Sequence, residues 1–382
     1  MKGLDRRALL GAGAGIAAAS ALDWTAFAAP AAAAERGPNG IEMRSDGSYA
    51  TVPLAKETIS LAVAQTRVVP VELGNVAQGR RANVQHMLDV IDMANGFSGP
   101  KDLIQFHEFP ITGYRHVWNL EDARKIAIEI PGEETELLAA KAREYGSWIV
   151  FGSYVRDPDW PKRLLSITTI ISDKGEIVAK DWKARNLKGF FPGGRELFTT
   201  TIYDVLDEYV ERYGWDHVVP VIRTPIGNLF TSSSQLEPEL FRAAAMKGAE
   251  IMLRTASGNF NEIDIRATSM YNRVYSTIAN NSASPENRYY LADSNPGHVG
   301  IVGPDGEFIE QSETDFETLV YGRIPIASFR ARHRQPIVHS ELVMPVFDKY
   351  RSPYGPNLIA DYQPTDTEDA GRYLRSKSRW PQ

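Results

Sequence analysis

The sequence predicts an α/β fold with mixed sheets, organised as a single domain. Three observations carry this. From about Glu57 onwards, short β-type runs alternate with helical patterns. One adjacent pair of strands is joined by a tight turn, so the sheets are not purely parallel. Neither an internal repeat nor a linker divides the chain.

Taken in order, "ISLAVAQ" (Ile59–Gln65) is a strand of Ile, Val and Ala. "ANVQHMLDVIDMA" (Ala82–Ala94) places Val84, Met87, Leu88, Ile91 and Met93–Ala94 near one helical face. "DLIQFHEF" reads as a strand running into a loop, and "ETELLAAKAREYG" as a helix closed by Gly146 at C′. "WIVFGSYV" and "RLLSITTIIS" are strands, and Asp173-Lys174-Gly175 turns the second into "EIVAKDWK". "YDVLDEYVERYG" (Tyr203–Gly214) is an acidic amphipathic helix. "VVPVIRTPIGNLFTS" supplies two strands around Thr224–Gly227, followed by a helix from Glu237. Then come the strand "EIMLRTA", a helix over "DIRATSMYNRVYSTIANN", and the strands "RYYLAD", "VGIVGPDGEFIEQ" and "ETLVYGRI". From Arg332 the chain is Pro-rich and reads as an irregular arm across a surface. The expected divisions are therefore a leader at 1–34, an extension at 35–56, the domain at 57–331 and the arm at 332–382.

The leader has the layout of an export signal. It has a basic start, an Ala/Gly-rich apolar run and A-x-A cleavage candidates such as Ala26-Phe27-Ala28. Arg6-Arg7 ahead of Ala8-Leu9-Leu10 resembles a twin-arginine signal. The apolar stretch is shorter than the ~20 residues a membrane span needs. The expectation is a soluble protein exported to the periplasm or beyond. A net charge of −6 gives no ground for a nucleic-acid or anionic-membrane partner. The chain has no cysteine, which excludes disulfides, Cys-ligated metals and a thiol nucleophile. Its seven histidines form no H-E-x-x-H pair, which disfavours a metal hydrolase, and there is no Gly-rich phosphate loop.

Three short segments carry candidate chemistry. Glu108 in "LIQFHEFPITGY" lies just past an apolar strand, where the backbone fixes a carboxylate for acid/base work; taken alone, such a residue is more often a loop carboxylate paired with a neighbouring cation. His107 beside it alternates to the other side. Lys183 in "GEIVAKDWKARNLKGFFPGG" matters if a carboxylate or a developing oxyanion faces it. "GNLFTSSSQLEPELFRAAAMKGAE" delivers Ser232, Ser233 and Ser234 to a strand-to-helix turn, with Pro238 and Glu239 in the first turn of the helix. There backbone N–H groups point at an exposed polar residue. The plain alternative is a turn-and-cap segment.

Strand–Glu, strand–Lys and strand–turn–nucleophile, in that order, resemble the nitrilase superfamily of carbon–nitrogen hydrolases, and the match spans most of the chain after Glu57. The resemblance extends to Gly113 after "FHEFPIT", to the glycine-led turn before "EIVAKDWK", to the late strand pair in "NPGHVGIVGPDGEFIEQ", and to "RVYSTIANN", read as a helix leading to an asparagine. It implies an α-β-β-α sandwich with a Glu–Lys–Cys triad: Glu108 as general base, Lys183 as oxyanion stabiliser and the Ser233 N–H as second oxyanion donor. It implies as substrate a small-molecule amide, carbamoyl compound or nitrile, with an amide preferred here, and no metal or organic cofactor. It also implies a homodimer or higher homo-oligomer.

Counting six residues back from Pro238 places Ser232 where the family has its cysteine. A thiol ionises near pKa 8.5, whereas an alcohol lies nearer the ~15.7 of water. That gap of roughly seven units is about 10 kcal/mol of deprotonation cost, only part of which concerted proton transfer avoids. Ser234 stands where the family often has Asp, and Lys188 where amidase-like members have a second glutamate. Three readings stay open: an amidase with a serine nucleophile, a natural pseudoenzyme that binds an amide-like ligand or serves as an assembly subunit, and a chain whose cysteine has been replaced.

Overall fold

The computed structural model describes residues 35–36, 39–115, 117–189, 191–285, 287 and 295–381. The leader and the expected strand "RYYLAD" lie outside them. Residues 35–382 form one compact unit.

Strand β1 (Glu35–Arg36) pairs with β2 (Glu42–Met43) in a small ribbon. The first large sheet takes β3 (Ile59–Gln65), β4 (Leu103–Gln105), β5 (Trp148–Val155), β6 (Leu165–Ile171) and β7 (Ile177–Trp182). The second takes β8 (Ile222–Thr224), β9 (Gly227–Ser232), β10 (Ile251–Thr255), β11 (Tyr275–Ala279), β12 (Gly300–Val302) and β13 (Phe308–Gln311). β14 (Thr318–Ile324) returns to the first, giving the orders β14-β3-β4-β5-β6-β7 and β13-β12-β11-β10-β9-β8. β3, β4 and β5 run parallel, as do β9, β10 and β11, and the remaining pairs are antiparallel.

Period-two alternation makes the layers. Leu61 and Val63 of β3 face inward and pack with Leu103, Val150, Leu229 and Leu253 in a core shared by the two sheets. Ala62 and Ala64 face outward, under α1 (Val76–Gly96) and α3 (Glu133–Tyr145). Between these helices in sequence lies the short α2 (Leu120–Ile126). After β7 comes α4 (Leu206–Tyr213), which packs on the first sheet's outer face through Tyr209. α5 (Pro238–Met246) and α6 (Glu262–Asn272) cover the outer face of the second sheet through Phe241 and Ile265. The architecture is the expected α-β-β-α sandwich. Among the described residues, no helix is long and apolar enough to cross a membrane.

Several expectations need correction. The run "DIRATSMYNRVYSTIANN" is not one helix: α6 stops at Asn272, Arg273 takes the left-handed conformation (φ 53°), and β11 follows. Its Val, Tyr, Thr and Ile suit a strand, and β11 is buried beside β10. Met93, assigned to the core face of α1, is largely exposed, while Val90 takes an inward position. The arm is not irregular throughout. α7 (Ile326–Arg332) ends where the arm begins, and the arm itself contains α8 (Ser340–Phe347) and α9 (Thr367–Lys377).

Candidate active site

Parallel strands set their C-terminal ends at a common edge, where α/β folds bind ligands. Glu108 follows the end of β4, Lys183 follows the end of β7, and Ser232 is the last residue of β9. The loop after β4 can pass close to β5 because residue 152 is glycine. A Cβ there would lie 2.7 Å from the Glu108 Cα, and the Gly152 N–H donates to the His107 carbonyl at 3.0 Å. His107 is packed, not exposed. Its Nδ1 accepts the Phe109 N–H, and burial pushes its imidazole down to about 3.

Glu108 and Lys183 are brought together. Lys183 Nζ donates to Glu108 Oε1 at 3.1 Å, with the two side chains only 11% and 6% exposed. Ser166 Oγ donates to the same oxygen at 3.3 Å, and Ser257 Oγ donates to Oε2 at 2.8 Å. The carboxylate is thus held by donors from both sheets. Tyr154, stacked on Phe109 at 4.2 Å, lies nearby; burial first and the Glu108 charge second push its phenol above the ordinary range.

The serine turn is held by a different group. Arg254, opposite Ser232 in the β9–β10 register, is almost completely buried. It donates to the Ser234 carbonyl and to Asp264 Oδ2, both at 2.8 Å, and stacks on Phe241. The Ser234 N–H donates to Ser232 Oγ at 3.0 Å. One residue before the turn, Thr231 Oγ1 donates to Asp181 Oδ2 at 2.6 Å, tying β9 to β7 across the seam.

These elements border a cavity of about 140 Å³, close to the about 150 Å³ that admits a benzene-sized molecule. Glu108 and Lys183 line it with Ser166, Ser257, Ser233 and Ser234 on the polar side. Phe109, Tyr114, Trp118, Tyr154, Phe191 and Phe198 form an aromatic wall. Ser232 is not among the lining residues, and among the described residues its Oγ has no hydrogen bond to Glu108 or Lys183. The cations at the rim are already paired, Arg185 with Glu237 and Arg115 with Glu72. Lys188 does not line the cavity. Burial lowers its ammonium below the ordinary value, with Asp204 and Glu196 opposing that shift.

Ser166, Ser257, Arg254 and Thr367, the last also on the cavity, were absent from the sequence reading. Ser257 had one legible signal, its place just past a predicted strand, and Ser166 lies across the predicted hairpin from Lys183. The Lys183 N–H donates to the Ser166 carbonyl at 3.0 Å.

Comparison with known proteins agrees with this fold. The chain is 25% identical over 264 residues to a formamidase of Helicobacter acinonychis, covering 67% of this chain and 71% of that protein. Its fold is similar to that of Saccharomyces cerevisiae Nit3, a member of branch 10 of the nitrilase superfamily. The TM-score is 0.56 at 19% identity, over 74% of this chain and 96% of that one. It is similar also to a nitrilase-superfamily amidase of Nesterenkonia AN1, solved as a cysteine-to-alanine mutant. There the TM-score is 0.53 at 18% identity, over 77% and 99% of the two chains. Residues 60–334 match the family described as Carbon-nitrogen hydrolase, and with the Glu108–Lys183 pair at the strand ends of an α-β-β-α sandwich the conclusion is direct: the chain belongs to the carbon-nitrogen hydrolase family.

Proposed function

We propose that this chain hydrolyses the C–N bond of a small, uncharged amide. The observation that carries the reading is the buried Glu108–Lys183 contact of 3.1 Å on a cavity that the serine turn also lines. In this reading Ser232 Oγ attacks the carbonyl carbon as its proton passes to Glu108. The Lys183 ammonium and the Ser233 N–H stabilise the oxyanion. The tetrahedral carbon then expels the amine, which takes the proton back from Glu108. A water then attacks the acyl ester as its proton passes to Glu108, the bond to Ser232 Oγ breaks to release the carboxylic acid, and Glu108 returns that proton to Ser232 Oγ. The cavity size and the paired rim cations support a small neutral substrate, and the amidase and formamidase relatives support an amide over a nitrile.

A second reading has its own support. Ser232 does not line the cavity, its Oγ is engaged by the Ser234 N–H, and all three donors to Glu108 are other groups. With the deprotonation cost of an alcohol, this favours a protein that binds amide-like ligands without turnover. Ammonia release from a panel of small amides, measured for the unchanged chain, Ser232→Cys and Ser232→Ala, separates the two. The serine hydrolase requires activity in the unchanged chain and none in Ser232→Ala. Activity confined to Ser232→Cys, at roughly 100-fold or more above the unchanged chain, establishes the non-catalytic reading.

A further inference from the structure

The family match ends at residue 334, yet the cavity has a wall beyond it. We propose that the segment from Tyr354 to Lys377 is a working part of the site. In it, Thr367 is a specificity-determining residue that limits the length of the acyl group accepted. This rests on the amide reading above and adds a size class to it: short acyl groups without charge.

The segment is fastened on both sides of the cavity. On one side, the Leu120 N–H at the start of α2 donates to the Thr365 carbonyl at 2.7 Å, and Ala123 of α2 lines the cavity. On the other, the Glu196 N–H donates to the Thr367 carbonyl at 2.9 Å, while Glu196 Oε1 accepts the Gly189 N–H at 2.8 Å. These bonds hold the loop that brings Leu187 and Phe198 to the cavity. Gln363 Nε2 donates to the Phe198 carbonyl at 2.8 Å. Asp366 caps α9 by accepting the N–H groups of Glu368 and Asp369, which fixes where Thr367 stands.

α9 then rests on the turn at Pro192–Gly194. A Cβ on Gly371 would collide with the Gly194 carbonyl, and Arg375 Nη1 donates to that carbonyl at 2.6 Å. A surface tail would not be tied by its backbone to two walls of one cavity. In a space of about 140 Å³, a side chain the size of threonine takes a volume that an acyl chain would otherwise fill.

Two measurements on the full-length protein test this. The first is calorimetric titration with straight-chain primary amides from acetamide to hexanamide, using the unchanged chain, Thr367→Ala and Thr367→Leu. Thr367→Ala is expected to move the affinity optimum to longer amides, gaining about fourfold per added methylene, and Thr367→Leu to move it to shorter ones. One chain-length profile shared by all three proteins overturns the assignment of Thr367. The second is hydrogen exchange of residues 187–199 in Gly371→Ala, or in Arg375→Gln should the first not fold. Exchange in the loop is expected to rise at least tenfold while β3 and β5 stay protected. Unchanged protection there overturns the wall. If no amide binds the unchanged chain, the amide reading fails on its own account, and the exchange result alone decides whether the wall stands.

Discussion

At Glu108 the carboxylate oxygens are divided between the sheets: Oε1 accepts from Lys183 and Ser166, Oε2 from Ser257 beyond β10. Glu108 and Lys183 were legible because each sits at the end of an apolar run; Ser232 carries the same mark and ends β9, but does not line the cavity. Ser166 and Ser257 were not, since a serine carries no pattern of its own and these two become neighbours only when the sheets dock. Asp181 was equally silent. Burial raises its carboxyl to about 7, opposed by the Thr231 bond. Its folded value exceeds the unfolded one, so between about pH 4 and 7 the folded state holds the proton more tightly, and its contribution to stability falls as pH rises through that window. Asp181→Asn should therefore gain stability relative to the unchanged chain between pH 4 and 8. The gain grows from none near pH 4 to on the order of 4 kcal/mol above about pH 7, read from denaturant melts across that range. His107 acts in the opposite sense, since burial lowers its pKa to about 3 and stability is lost as pH falls below about 6.5.

Among the elements, the strands were the most legible, because each large sheet is a succession of short β-branched runs. The misreading at "RVYSTIANN" has a physical cause. Helical and strand periods overlap in a short apolar run, and the break depends on the left-handed Arg273, a residue with no special preference for that conformation. α2 and α9 went unread although each has a polar N-cap, Asn119 and Asp366, because neither has a long apolar stripe. The β9–α5 turn depends on Arg254, whose guanidinium reaches Ser234 and Asp264 in a buried setting. Arg254→Ala leaves Asp264 without this partner and should cost roughly 3–5 kcal/mol. A chemical denaturation midpoint within error of the unchanged chain would refute that.

On the scale of the whole molecule, two apolar surfaces stay uncovered among the described residues. α6 exposes Ile263 and Tyr271, 76% and 62% accessible. α8 buries none of its residues, and exposes Leu342 and Val346 at 78% and 67%. An apolar helix with no covered face gains stability only when something else packs on it. We propose that a second copy does so, and light scattering should give at least twice the 42.4 kDa chain mass. A monomer at micromolar concentration would count against this.

The two sheets also divide the work of the site. Glu108 and Lys183 belong to the first, and the serine turn to the second. In the proposed reaction, the acid–base pair and the attacking group thus sit on separate chassis that meet along one seam. If the proposed reaction holds, a lineage can exchange the nucleophile at position 232 without disturbing the charge pair, and recover it by a single codon. Loss of turnover in such a scaffold is modular and reversible, and the pocket survives as raw material for another use.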